Sequence, residues 1–280
     1  MWNRRDILRS GGIMLGGSVG LGLYAWRIEP HWVEFVHRPL PIDNLPRPLE
    51  GATLAQISDL HVGPDVDSTY LVDVLRNVAS LKPDIVAFTG DFITYRGKEV
   101  LDELGRVLEH FPAGRLATVG ALGNHDSGDR WRSDRVARAV QRRATDAGID
   151  LLRNSARDVH GLRIVGLEDL WSRNFEPEPL LEELPTGAPG VVLSHNPDAV
   201  DSDGWAGYRG WILSGHTHGG QCKPPFLPPP LLPVKNARYT AGEFDLGDGR
   251  RMYISRGVGH KERVRFNVRP EVTLFRLARA

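Results

Sequence analysis

Five short apolar runs, each leading straight into a histidine, an aspartate or an asparagine, constrain this chain more than any other feature. Thr53–Ser58 leads to Asp59, Asp84–Thr89 to Gly90-Asp91, and Arg115–Leu122 to Gly123-Asn124-His125-Asp126. Gly190–Ser194 leads to His195, and Trp211–Ser214 to Gly215-His216-Thr217-His218. Between the first runs lie stretches with the period of amphipathic helices. Leu71, Val74, Leu75 and Val78 share one face of residues 68–81, and Leu101, Leu104 and Leu108 share one face of residues 100–110. Arg130 to Ala147 reads as a third, basic helix. Short strands alternating with helices predict an α/β fold whose first strands are largely parallel. Ligands of open α/β sheets bind beyond the carboxyl ends of the strands, so these polar residues are expected to converge on one crevice.

The residue types at those ends point to metal chemistry. Two divalent cations roughly 3.5–4 Å apart need about seven ligands and a shared carboxylate. Asp59, His61, Asp91, Asn124, His195, His216 and His218 supply such a set. Asp59 and His61, like His216 and His218, are two residues apart, a spacing that points both side chains of an extended segment the same way. Cys222 is the only cysteine, so neither an intrachain disulfide nor a cysteine zinc cluster is available. Oxygen and imidazole donors suit Mn, Zn or Fe. With 41% hydrophobic and 25% charged residues the chain is globular, and its formal net charge of zero argues against a nucleic-acid partner.

In this order, Asp-x-His, Gly-Asp, Gly-Asn-His-Asp, His and Gly-His-Thr-His resemble the motifs of the calcineurin-like metallophosphoesterase family, from about Leu54 to the C-terminus. Gly215-His216-Thr217-His218-Gly219-Gly220-Gln221 and Ser255-Arg256-Gly257-Val258-Gly259 are similar to its exported bacterial phosphodiesterase branch. The resemblance implies a two-sheet α/β/β/α sandwich with helices on both outer faces. It implies one metal held by Asp59, His61, Asp91 and His218, and a second by Asp91, Asn124, His195 and His216, with Asp91 bridging. A bridging hydroxide would attack phosphorus, His125 would serve the leaving oxygen, and Asp126 would orient the His125 ring. The implied activity is hydrolysis of a small-molecule or lipid-linked phosphate ester. A phosphodiester is the leading substrate; a phosphomonoesterase and a non-catalytic scaffold of the same fold are the alternatives. Two departures are Thr94, where many relatives place Asp or Asn, and His260, where they often carry Thr.

Residues 1–30 are expected to lie outside the catalytic domain. Asn3-Arg4-Arg5-Asp6-Ile7-Leu8-Arg9 followed by an uncharged stretch from Gly11 to Ala25 resembles a twin-arginine export signal, with a plain membrane anchor as the alternative. Six glycines between Gly11 and Gly22 argue against a buried helix there. The implied partners are the twin-arginine export machinery and, through the N-terminus, the membrane; the implied location is periplasmic or otherwise extracytoplasmic, anchored to the inner membrane if the segment is retained. Residues 31–50, with prolines at 39, 41, 46 and 48, read as a linker or edge segment before a phosphoesterase domain over 51–280. Pro224 to Pro233 reads as a rigid packing loop or as an apolar wall for a lipid tail, with Arg256, Arg263 and Arg265 as candidate phosphate-headgroup ligands. The run from Arg130 to Arg143 is expected to be a solvated helix face.

Overall fold

The computed structural model describes residues 17–185 and 187–280. Two six-stranded sheets face each other. The first has the order β1 (Glu34–Ile42), β12 (Glu271–Arg279), β2 (Thr53–Ile57), β3 (Ile85–Thr89), β4 (Ala117–Ala121), β5 (Asp150–Leu151). The second has the order β10 (Gly242–Asp245), β11 (Arg250–Ile254), β9 (Gly210–Ser214), β8 (Gly190–Leu193), β7 (Leu162–Gly166), β6 (Ser155–Val159). β2 to β5 are mutually parallel, as are β7, β8, β9 and β11, while β12 runs antiparallel to β2.

Burial on both faces explains the largely apolar runs. Ile85 and Ala87 of β3 point into the core between the sheets, and Val86 and Phe88 point into the layer under the helices. That outer layer is built by helices α2 (Ser68–Ser80), α3 (Glu99–Leu108) and α4 (Asp134–Asp146); α1 is the helical stretch 17–23. Leu71, Val74, Leu75 and Val78 of α2 are all buried, so the expected apolar face is the packed one. Asp67 caps this helix by accepting a hydrogen bond from the Thr69 amide, at 2.8 Å. The outer face of the second sheet is covered more lightly, by α5 (Glu178–Glu182) and a 3₁₀ turn at Pro197–Asp201 with Trp205 and Tyr208. The result is the expected two-sheet α/β sandwich.

One expectation narrows and another changes. The stretch 31–50 is the edge segment and not the linker: β1 pairs in parallel with β12 at the sheet edge, and Leu40, Ile42, Leu45 and Leu49 are buried. Pro39 and Pro41 are tolerated because an edge strand needs amide donors on one side only. The basic helix starts later than Arg130. Arg130 and Trp131 have φ of 59° and 57°, which breaks the helix, and α4 begins at Asp134. The twin-arginine motif itself lies outside the described residues. Among those described, no helix is long and apolar enough to cross a membrane.

Candidate metal centre

The carboxyl ends of β2, β3, β4, β8 and β9 meet at one edge of the sandwich. Asp59 and His61 follow β2, Asp91 follows β3, Asn124 follows β4, His195 follows β8, and His216 and His218 follow β9. All seven side chains are buried, and six of them, all but Asn124, are gathered side by side. They form two groups able to hold a metal ion: Asp59, His61 and His218, and Asp91, His195 and His216. Asp91 Oδ2 lies 3.5 Å from His61 Nε2 and 3.1 Å from His195 Nε2, so this carboxylate stands between the two groups. Gln56 pins the two sheets together just behind the site, donating to Thr89 Oγ1 at 3.0 Å and to the Ser214 carbonyl at 2.9 Å.

The chain turns sharply at five of the seven candidate ligands. Asp59, His61, Asp91, His216 and His218 all have φ between 49° and 72°, the left-handed region that costs a non-glycine residue roughly 1–2 kcal/mol. Strain repeated at five ligands marks a site whose geometry the rest of the fold enforces. Two glycines make room for it. A Cβ on Gly123 would overlap Asp91 Oδ1, and one on Gly215 would overlap Ser58 Oγ and Asp59 Oδ2.

Hydrogen bonds to the outer ring nitrogens orient the histidines. His195 Nδ1 donates to the Thr89 carbonyl at 2.7 Å, and His216 Nε2 to the Pro233 carbonyl at 2.9 Å. His61 Nδ1 contacts Thr94 Oγ1 at 2.9 Å, so Thr94, a departure from the family pattern, holds a ligand ring in place. In each ring the opposite nitrogen then faces the centre, where, once deprotonated, it can ligate a metal as in metal-binding imidazoles. His61 Nε2 and His218 Nε2 come within 3.0 Å of each other; Arg265 donates to His218 Nδ1 at 3.2 Å, so the neutral His218 ring carries its proton on Nε2, in the place a cation would take. Asn124 is buried with neither Oδ1 nor Nδ2 hydrogen-bonded. An unpaired buried amide is costly, and a cation accepting its oxygen would relieve that cost. The donor set therefore fits two divalent cations.

Charges among these groups are strongly coupled. Burial pulls His195 down, but Asp91 and then Asp59 outweigh it and raise its pKa to about 10. Burial pushes Asp91 up, yet His195, His125 and His61 hold it well below the usual carboxylate range. Asp59 is raised to about 6, chiefly by burial. His216 is lowered to about 3 by burial and by the charge of His195.

His125 is half-buried, with its ring 5.1 Å from that of His61, and it lines an open cleft of about 920 Å³ beside the centre. Asp126 does not take the position expected of it. Its Oδ2 accepts the amides of Asp91 at 3.0 Å and Gly123 at 2.8 Å, and Oδ1 accepts that of Ile93 at 3.2 Å. The carboxylate holds the two ligand loops together and makes no hydrogen bond to the His125 ring. The arginines expected to bind a headgroup are also engaged elsewhere. Arg265 is fully buried and donates to the carbonyls of Arg256, Gly257, Gly259 and Val268. Arg256 is paired with Glu271 and Glu34, and Arg263 lies 5.7 Å over the Trp26 ring. His260 donates to or accepts from no ligand; its Nε2 meets the Asp65 carbonyl at 2.9 Å.

Asp169 and Trp171 belong to the neighbourhood of the site without having been expected there. Asp169 is buried, its pKa is raised to about 6 chiefly by burial, and one of its oxygens has no partner. The Trp171 ring meets His216 edge-on at 4.7 Å. Their signal in the sequence was a sixth, mostly apolar run, Leu162–Leu167, which leads into Glu168-Asp169.

A sandwich that gathers Asp, Asn and His at five strand ends around two cation sites defines a metal-dependent hydrolase of phosphate esters. The sequence profile of the calcineurin-like phosphoesterase family matches residues 52–220, well over half of the chain. The protein belongs to that family. It is 31% identical to phosphodiesterase YaeI of Escherichia coli (strain K12), across 99% of this chain and 100% of that one. It is 32% identical to the metallophosphoesterase YkuE of Bacillus subtilis (strain 168), across 96% and 93%. It is 29% identical to the UDP-2,3-diacylglucosamine pyrophosphatase LpxG of Chlamydia trachomatis, across 83% and 86%.

Proposed function

We propose that the protein is a phosphodiesterase with a binuclear metal centre that acts on a cell-envelope or lipid-linked phosphate ester outside the cytoplasm. Asp59, His61, Asp91 and His218 hold one cation; Asp91, Asn124, His195 and His216 hold the other. Bound cations of this kind neutralise phosphoryl charge and bring the pKa of water down to roughly 7. The chain's own groups do the remaining work. Thr94, Thr89 and Pro233 keep three imidazoles aimed inward, and Asp126 fixes the loops that carry Asp91 and Asn124. His125, at the mouth of the cleft, donates a proton to the leaving oxygen.

The observation that carries this reading is the convergence of two ligand groups on either side of Asp91, with His125 on the open side. The envelope setting has separate support. Val19, Leu21, Leu23, Trp26, Ile28 and Trp32 of the N-terminal segment are exposed, as are Phe226, Leu227 and Leu231 of the proline-rich loop. Exposed apolar groups with aromatic residues among them suit a bilayer interface. The segment 1–30 then acts as a twin-arginine-type export signal and inner-membrane anchor. One relative's name gives an acylated sugar nucleotide as its substrate.

The test is turnover by Mn-loaded protein of bis-p-nitrophenyl phosphate against p-nitrophenyl phosphate. The diester is expected to be the better substrate. His125→Ala should lower its turnover by about 10²–10⁴-fold while the bound metal, measured by elemental analysis, stays the same. Preference for the monoester would overturn the diesterase assignment, and absence of any metal-dependent turnover would overturn the whole reading.

A further inference from the structure

The cleft beside the metal centre is built for more than the ester group. At about 920 Å³ it exceeds the space a phosphodiester occupies and falls in the range of pockets that take whole small molecules. Arg96, Arg130, Arg132 and Lys261 line it, and none of the four has an ion-pair partner among the described residues; Asp129 is the one acid in the lining. Trp131, from the loop after β4, stacks on Trp171, from the loop after β7, with centroids 4.6 Å apart and planes at 29°. This pair spans the gap between the two sheets. At one end Trp171 touches the ligand His216, and at the other Trp131 lies 6.2 Å from His125. Trp131 keeps a solvent-facing surface in the cleft, and the chain adopts two successive left-handed residues, Arg130 and Trp131, to present it.

We propose that Trp131, backed by Trp171, and the four cations form a specificity subsite for a leaving group that carries a flat ring and a second anionic group. The inference rests on the hydrolase reading only for where the scissile ester sits. An indole face open to a cleft binds flat rings by stacking, largely regardless of which ring it is. A phosphodiester brings a single negative charge, and the metal centre already answers it. Four further cations, unpaired among the described residues and facing a single acid in the lining, attract a substrate with anionic charge beyond the reacting group, such as a second phosphate. Trp131 and the cations therefore select the substrate's non-reacting part, while His125 and the metal ligands act on the ester.

The test is calorimetric binding of AMP, UMP, ribose 5-phosphate and adenosine to the full-length, metal-loaded protein. AMP and UMP are expected to bind at least about tenfold tighter than ribose 5-phosphate, and adenosine more weakly than AMP. Trp131→Leu keeps apolar bulk against Trp171 and should bring the AMP to ribose 5-phosphate ratio close to one, while Trp131→Phe should restore most of it. The Arg96→Gln/Lys261→Gln double variant should weaken both phosphates alike and leave the ratio intact. Equal binding of AMP and ribose 5-phosphate by the unaltered protein, or an unchanged ratio in Trp131→Leu, would overturn the subsite. If the ratio holds but no phosphate ester is hydrolysed, the proposed reaction fails and the subsite stands. If bis-p-nitrophenyl phosphate is hydrolysed and the ratio is one, the reverse holds.

Discussion

His195 shows what single residues in this site trade against one another. Its ring is anchored on the Thr89 carbonyl and its inner nitrogen is 3.1 Å from Asp91, so a proton and a metal ion compete for the same place. In the protein alone the Asp91 carboxylate favours the proton and raises His195 from 6.5 to about 10. A raised folded-state pKa gives stability that is complete below about pH 6.5 and is lost as pH climbs toward 10. Asp59, raised to about 6 chiefly by burial, also works against the folded state once it ionises, between about pH 4 and 6. Chelator-treated protein should therefore melt at progressively lower temperature between pH 6.5 and 9.5. Metal needs the deprotonated ring, so the rise in melting temperature on adding Mn should grow over the same window. Thermal melts at pH 6.5, 8 and 9.5 with and without Mn measure this. A metal-induced shift that shrinks toward pH 9.5 would mean that His195 is not among the ligands.

At the scale of elements, β1 is where the sequence left two readings open, linker or edge segment, and the edge holds. Prolines at 39 and 41 broke the alternation that marks a strand, yet Leu40 and Ile42 between and beyond them are 0% and 4% exposed in the core between the sheets. Leu40→Ala should then cost about 2–5 kcal/mol, the range for a buried leucine, where a linker residue would cost almost nothing. Urea unfolding midpoints decide it; a change below about 0.5 kcal/mol would place the segment outside the cooperative unit. The ligand-bearing strands were legible for the opposite reason. β2, β3, β4, β8 and β9 are largely buried on both faces, so each wrote a mostly apolar run, and each run pointed at its candidate ligand. What stayed hidden depends on contacts between elements. The Trp131–Trp171 stack joins loops from different sheets, Asp126 meets backbone amides of another loop, and Thr94 reaches His61 across 33 positions. No local pattern records such pairings. Nor does any pattern record the left-handed turns at five of the candidate ligands: aspartate and histidine adopt that conformation more often than most residues, but nothing local says which of them do.

The whole molecule is two sheets held by two different kinds of contact. Apolar packing fills the space between them, from Leu40 and Leu54 to Val191, Leu213 and Tyr253, and it needs no metal. At one edge, polar groups take over. Asp59, His61, Asp91 and Asn124 come from the first sheet, while His195, His216 and His218 come from the second, and the His216 amide already donates to Asp59 Oδ1 at 3.1 Å. Cations bound there would join the sheets without creating the fold. Removing them should lower the melting temperature but leave a cooperative, folded protein, unlike small zinc modules that unfold without metal. A ligand at 100 times its dissociation constant contributes about 2.7 kcal/mol, which for a domain of this size is a shift of roughly 5–10 °C. His216→Ala removes one donor of the second sheet and should abolish most of that shift. His125→Ala leaves every proposed ligand in place and should keep it. Differential scanning calorimetry of both variants with and without Mn separates the two roles. If His125→Ala lost the shift while His216→Ala retained it, the division between ligands that hold the metal and a residue that serves the leaving group would be wrong.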